Sequence, residues 1–212
     1  MSPARVARSA FRVGPLALST TILVASGCQH VGQQSTARTL DAFQSRVSVA
    51  VGASTWIDGD VILPGAAVQA RLQYGLSDHV EVGLSGGSDG LGVMTKVALI
   101  RSASDLSGLN LAIEPSVSAG TADNTTLATA RLPLLFGYRF GGHEVTLGPR
   151  VHYAWAAGSE RLAGGLYAGA TLGMRIKTGP HFIISPEIGW LQPLTRDSHP
   201  LVPIVNLGFS WE

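Results

Sequence analysis

The chain is 212 residues long and nearly neutral, with a formal charge of +1, and only 14% of its residues are charged against 45% hydrophobic. Ordinary soluble domains carry roughly 25% charged residues. Neutrality removes the electrostatic case for a nucleic-acid partner, and the single cysteine excludes both an internal disulfide and a cysteine-built metal site.

The first thirty residues read as an export segment. Arg5, Arg8 and Arg12 form a positive start without acids, and Gly14 to Val24 is an apolar stretch too short to span as a stable helix. Ala25-Ser26-Gly27 then lead into the only cysteine, Cys28. Small residues running straight into a cysteine resemble the lipobox of bacterial lipoproteins. That resemblance implies a signal peptide over 1–27, cleavage before Cys28, and acylation (palmitate or a similar chain) of its thiol. It also implies the lipoprotein-sorting machinery as a partner. Ala25 stands where the family usually has Leu. Gln29 follows the cysteine, where an Asp would favour inner-membrane retention. Residues 28–42, rich in Gln, Ser and Thr, are expected to form a lipidated flexible tether.

From residue 43 onward the hydrophobic period is two. Val68, Leu72, Tyr74 and Leu76 alternate with Gln69, Arg71, Gln73 and Gly75. Val80, Val82 and Leu84 alternate with Glu81, Gly83 and Ser85, and the pattern recurs to the end of the chain. The predicted strands are 43–53, 66–76, 78–86, 92–101, 108–119, 127–140, 143–156, 162–177, 181–192 and 200–212. Most are about 9–11 residues, the length a tilted strand needs to cross a bilayer. No apolar run after residue 30 reaches the roughly 20 residues of a membrane helix.

The turns at 76–78, 140–143 and 178–180 read as tight. The links at 54–65, 86–92, 120–126, 157–161 and 193–199 read as longer, and 102–107 fits neither group. Pro115, Pro133, Pro149, Pro186 and Pro203 fall inside strands, where each removes a ladder donor, and are expected at bulges.

Alternation alone does not say which face is outside. The polar face decides, because it is rich in Gly, Ala, Ser and Thr rather than in Lys and Glu. Its charges sit mid-strand, where facing lipid would cost a few kcal/mol each. Arg71, Glu81, Lys96, Glu114, Arg131, Arg139, Glu144, Arg150, His152, Arg175 and Glu187 are therefore assigned to a lumen charge network. Hairpin spacing brings Lys96 near Glu114, Arg139 near Glu144, and Arg71 within a diagonal of Glu81. Tyr74, Tyr138, Phe140, Tyr153, Trp155, Trp190 and Trp211 lie near strand ends on the apolar face, as interfacial rings do.

The expected fold is all-β, an antiparallel up-and-down transmembrane barrel over 43–212 with about ten strands, eight or twelve being the alternatives. Residues 43–212, with hairpins such as Tyr74 to Leu84, resemble small bacterial outer-membrane β-barrel proteins. The resemblance implies outer-membrane lipid and the barrel-insertion machinery as partners, and a location in the outer membrane with the lipid anchor on the periplasmic side.

The expected role is non-enzymatic, structural or a narrow channel. Cations outnumber anions on the polar face, so an open lumen would favour small anions. Two alternatives are a soluble lipocalin-like lipoprotein with an apolar interior and a lipid-modifying enzyme. The enzyme would rest on His152 or His79, yet neither has a well-placed nucleophile or acid beside it. No cofactor or metal site is legible.

Overall fold

The computed structural model describes residues 35–58, 61–88, 90–104, 106–122, 125–157, 162–194 and 202–212. Cys28 and residues 1–27, expected from the sequence to be a signal peptide, lie outside these residues. Eleven strands follow in order: β1 (Ser45–Asp58), β2 (Val61–Ser77), β3 (Val80–Gly87), β4 (Gly90–Ile100), β5 (Ser107–Ile113), β6 (Ser116–Ala122), β7 (Thr125–Phe140), β8 (His143–Ala157), β9 (Leu162–Lys177), β10 (Phe182–Pro193) and β11 (Val202–Trp211).

All pairings are antiparallel and, apart from the closing one, join neighbours in sequence, except that β5 and β6 do not pair with each other and both lie between β4 and β7. The first meets the last, Val47 opposite Trp211 through Ser54 opposite Ile204, which closes the sheet. β5 and β6 are one stave. Ile113 pairs with Leu134 and Ser116 with Arg131, so the register against β7 is unbroken across Glu114 and Pro115. The register against β4 is likewise continuous. The result is a closed ten-stave antiparallel barrel.

The prolines act differently from expectation. Pro115 interrupts its own strand, yet Glu114 N–H still donates to Pro133 O and Thr95 N–H to Pro115 O. The carbonyl of a proline keeps pairing where its missing N–H cannot. The register shifts lie elsewhere, between Gly75 and Ser77 and between Ala98 and Ile100. Strand ends also differ. Asp58 pairs with Val61, and the expected long link at 54–65 is instead a hairpin with two residues between its strands. The links at 86–92 and 120–126 shorten in the same way. Backbone pairing runs on past the residues whose alternation fades.

The polarity of the barrel is inside out relative to a soluble protein. Leu72, Leu84, Leu132, Leu147, Ile188 and Val205 stand outward and exposed. Arg46, Lys96, Glu81, Asn110, Glu114 and Thr171 are buried inside. Two aromatic girdles bracket the apolar belt. At the rim that carries Ser45 and Glu212, here the terminal rim, Tyr74, Tyr138, Phe140 and Trp211 are exposed, with Phe182 5.4 Å from Trp211. Tyr153, Trp155 and Trp190 stand near the opposite rim.

Part of the lumen is apolar, which the alternation had not disclosed. Ala154, Tyr167, Leu191, Val202 and Ile204 form one buried cluster on β8–β11. Leu135 and Ala112 form another, and its third member, Ala37, comes from outside the barrel strands.

Candidate functional site

The lumen is built from the inward parity of every stave, so its chemistry can be read in layers from the terminal rim. At the rim, Glu212 accepts from Arg46 Nε at 2.7 Å and from Arg175 Nη2 at 2.5 Å. Burial pushes the Glu212 carboxyl upward, but Arg46 and Arg175 outweigh it and hold it below the usual carboxylate value. After the end of β4, Arg101 reaches Asp41 and, at 3.0 Å, Asp78. The N–H of Ala42 (3.1 Å) and then Arg101 hold the Asp78 carboxyl below its usual value.

One layer deeper, Glu81 and Lys96 are directly paired across β3 and β4, and both are fully buried. Lys96 Nζ lies 3.2 Å from Glu81 Oε1 and 3.4 Å from Glu114 Oε2. Gln73 Nε2 donates to Glu81 at 2.6 Å. Arg71 meets Glu114 at 3.6 Å, and its Nε donates to Gln69 at 2.8 Å. Lys96 therefore bridges two carboxylates. Arg71 reaches Glu114, and the register sets it opposite Ser85, with Glu81 opposite Gly75 four residues along, so the two are not the diagonal pair that hairpin spacing had suggested. Arg139 stands opposite Glu144, which in turn stands opposite Arg175.

Higher still, Arg131 is paired with His152, and Arg150 is on the same inward face two residues before it. Glu187 is buried on β10, where Asn206 donates to it at 3.2 Å. Ser118 and Thr129 share a hydrogen bond of 2.7 Å across β6 and β7.

The eleven assigned network residues divide by position. Lys96, Glu81, Glu114 and Arg71 form one connected cluster, while Arg139, Glu144 and Arg175 lie towards the terminal rim. Arg131, Arg150, His152 and Glu187 lie past mid-height. Missing from that assignment were Arg46, Gln73 and Asn206. All three sit on the polar parity of their strands, which was the signal that could have found them. Glu212, Asp41, Asp78 and Arg101 were missed because rim residues follow no period.

The two histidines weighed for catalysis lie apart. His79 is exposed in the turn after β2. His152 is buried, its ring edge-on to Tyr167 at 6.1 Å and its Nδ1 without a hydrogen-bond partner. Among the described residues no hydroxyl or carboxylate is hydrogen-bonded to it. No cluster of metal-ligating side chains occurs among the described residues.

The segment before β1 completes the lumen. Residues 35–42, expected as part of a tether, are instead largely buried inside the barrel. Ala37 N–H donates to Glu144 Oε1 at 2.7 Å and Leu40 N–H to Glu81 Oε2 at 3.0 Å. Ser35 donates to Glu114, and Thr39 to the carbonyl of Asp78 at 2.6 Å. The physical reason is that buried carboxylates need donors. A Ser- and Thr-containing segment whose backbone N–H groups are not used in the sheet ladder supplies them.

Polarity, closure and girdles together define a ten-strand up-and-down β-barrel of the transmembrane type. No family model matches the sequence, and no curated protein matches it. Among solved structures the chain is similar to Neisserial surface protein A, with 9% identity over 79% of this chain and 96% of that one at a TM-score of 0.46. It is also similar to the translocator domain of the autotransporter NalP from Neisseria meningitidis, with 10% identity, 92% and 95% coverage and a TM-score of 0.44. A third likeness is to an outer membrane channel from Pseudomonas putida F1, with 11% identity, 82% and 97% coverage and a TM-score of 0.43.

Proposed function

We propose that the protein is a non-enzymatic barrel of the bacterial outer membrane, anchored through an acylated Cys28 on the periplasmic side and enclosing a narrow polar lumen. The observation that carries this reading is the inverted polarity. Lys96 and Glu81 are fully buried inside while Leu72, Leu132 and Val205 are half or more exposed outside. In water such a surface would aggregate, whereas in lipid it is the favourable arrangement. It is also the reverse of a lipocalin-like barrel, whose apolar face points inward.

Both ends of the barrel strands, Ser45 and Glu212, lie at one rim. Facing that rim to the periplasm puts the start of the barrel beside the leaflet where a lipid on Cys28 would insert. Insertion would use the barrel-insertion machinery, and delivery the lipoprotein-sorting machinery. Among described residues the buried cations Arg46, Arg71, Lys96, Arg131, Arg139, Arg150 and Arg175 outnumber the buried anions Glu81, Glu114, Glu144 and Glu187. An open lumen would therefore pass small anions in preference to cations.

The test is electrophoretic mobility of membrane-fraction protein in SDS, cold and boiled. A heat-dependent shift in the outer-membrane fraction supports the reading. No shift, with a Cys28→Ser mature chain soluble in buffer, overturns it.

A further inference from the structure

We infer that residues 35–42 are a built-in plug, seated in a groove that the barrel wall shapes for it, and that its withdrawal opens the anion path. The inference rests on the proposed membrane reading and deepens it.

Three independent features point to a seat rather than a chance contact. The first is donor matching: the segment offers a donor to each of three buried wall carboxylates, Glu81, Glu114 and Glu144. These carboxylates lie on β3, between β5 and β6, and on β8, so the contacts span several staves and not one neighbour.

The second is shape. A Cβ built on Gly137 would fall 2.7 Å from Ala37 Cβ and 2.4 Å from Glu144 Oε1. One built on Gly75 would fall 2.3 Å from the Asp41 carbonyl oxygen and 3.2 Å from Leu40 Cβ. At each position at least one approach is closer than a real Cβ comes, so the wall is bare where the segment passes. Ala37 itself is fully buried against the Ala112 and Leu135 cluster.

The third is a latch at the mouth. Asp41 is held by Arg38 and Arg101, and Ala42 N–H by Asp78. Phe43, at a positive φ of 67°, then turns the chain into β1, and its N–H donates to Gly75 O at 2.8 Å. The segment is thus fixed at the rim end and descends from mid-height, a geometry that lets it leave as a unit.

With the segment removed, the lower lumen is lined by charged and amide side chains. Toward the opposite rim, the bulky cluster on β8–β11 stands across from small inward residues on the other staves, such as Ala67, Ser85, Gly92 and Ser118. The segment carries Arg38 and Asp41, so its departure leaves the cationic surplus of the wall unchanged.

The experiment uses the full chain in planar bilayers in three forms: unaltered, with residues 35–40 replaced by Gly and Ser at equal length, and with Gly137→Leu. Both altered forms should conduct about tenfold or more above the unaltered barrel, with a reversal potential on the anion side. In a Cys28→Ser background, Ala37→Cys should resist maleimide and become labelled once Gly137→Leu is added. Altered barrels that keep the heat-dependent shift but conduct no more than the unaltered protein overturn the plug. Loss of the heat shift from the unaltered protein overturns the membrane reading instead.

Discussion

Lys96 on β4 stands directly opposite Glu81 on β3, with 3.2 Å between Nζ and Oε1 and both side chains fully buried. A second carboxylate, Glu114, shares the same ammonium at 3.4 Å. A buried ion pair is weak evidence of net stability, but breaking one by removing a single partner is costly, because the other charge stays in place undischarged. Lys96→Met leaves two carboxylates without their ammonium and should destabilise the barrel by about 3–5 kcal/mol. Adding Glu81→Gln should return part of that loss. Urea unfolding in micelles, followed by tryptophan fluorescence, reads both, and an equal or larger loss in the double variant would contradict the pairing.

The terminal rim should be acid-sensitive through Glu212. Its carboxyl is held below the ordinary 4.5 by Arg46 and Arg175, against the upward push of burial. A depressed folded value means that the contribution is complete above 4.5 and is lost as pH falls through the lower, folded value. The unfolding temperature should therefore hold steady from neutral pH to near 5 and decline below about 4.5. Glu212→Gln should start lower and show a shallower decline, and an undiminished acid slope in that variant would assign the effect elsewhere.

Leu132 and Val151 are opposite each other on β7 and β8, mid-strand on the outer face. Leu132→Arg puts a charge against the middle of the bilayer and should cost about 2–4 kcal/mol. The same substitution at Leu99, close to the end of β4, should cost about 0–1 kcal/mol. Refolding into vesicles compares the two, and equal penalties would mean that the belt does not sit in lipid.

Selectivity should respond to the cations past mid-height. Arg131→Glu combined with Arg150→Glu reverses the sign of two buried charges. In a barrel opened at the segment before β1, this should move the reversal potential toward cation preference. An unchanged potential would place the selecting charges at another depth.

Much of the wall was legible because a strand's period of two couples each residue to a face. Arg71, Lys96 and Arg150 could be put inside from parity alone, since a mid-strand charge has nowhere else to go. Three things escaped the pattern. Leu135, Ile183 and Leu191 are apolar and inward, because a lumen layer can be filled by packing as well as by charge. Glu114 and Pro115 divide one stave without altering its register, which only the partner strands reveal. The burial of residues 35–42 was hidden because a run of Ser and Thr with few apolar residues looks like solvent-loving chain. Its partners, Glu81, Glu114 and Glu144, come from distant parts of the sequence, and no local signal announces them.

The joint between β1 and β11 carries a temporal consequence. Val47 waits for Trp211, some 160 positions later, before the cylinder has no free edge. Until the last strand has been made, the first lacks the partner on one of its two edges, and every intermediate exposes two sticky borders. A chain cut short before β11 would lack the closing partner of β1 and keep an unpaired, aggregation-prone edge. Quality control of this protein can therefore act at a single event, the meeting of its first and last strands.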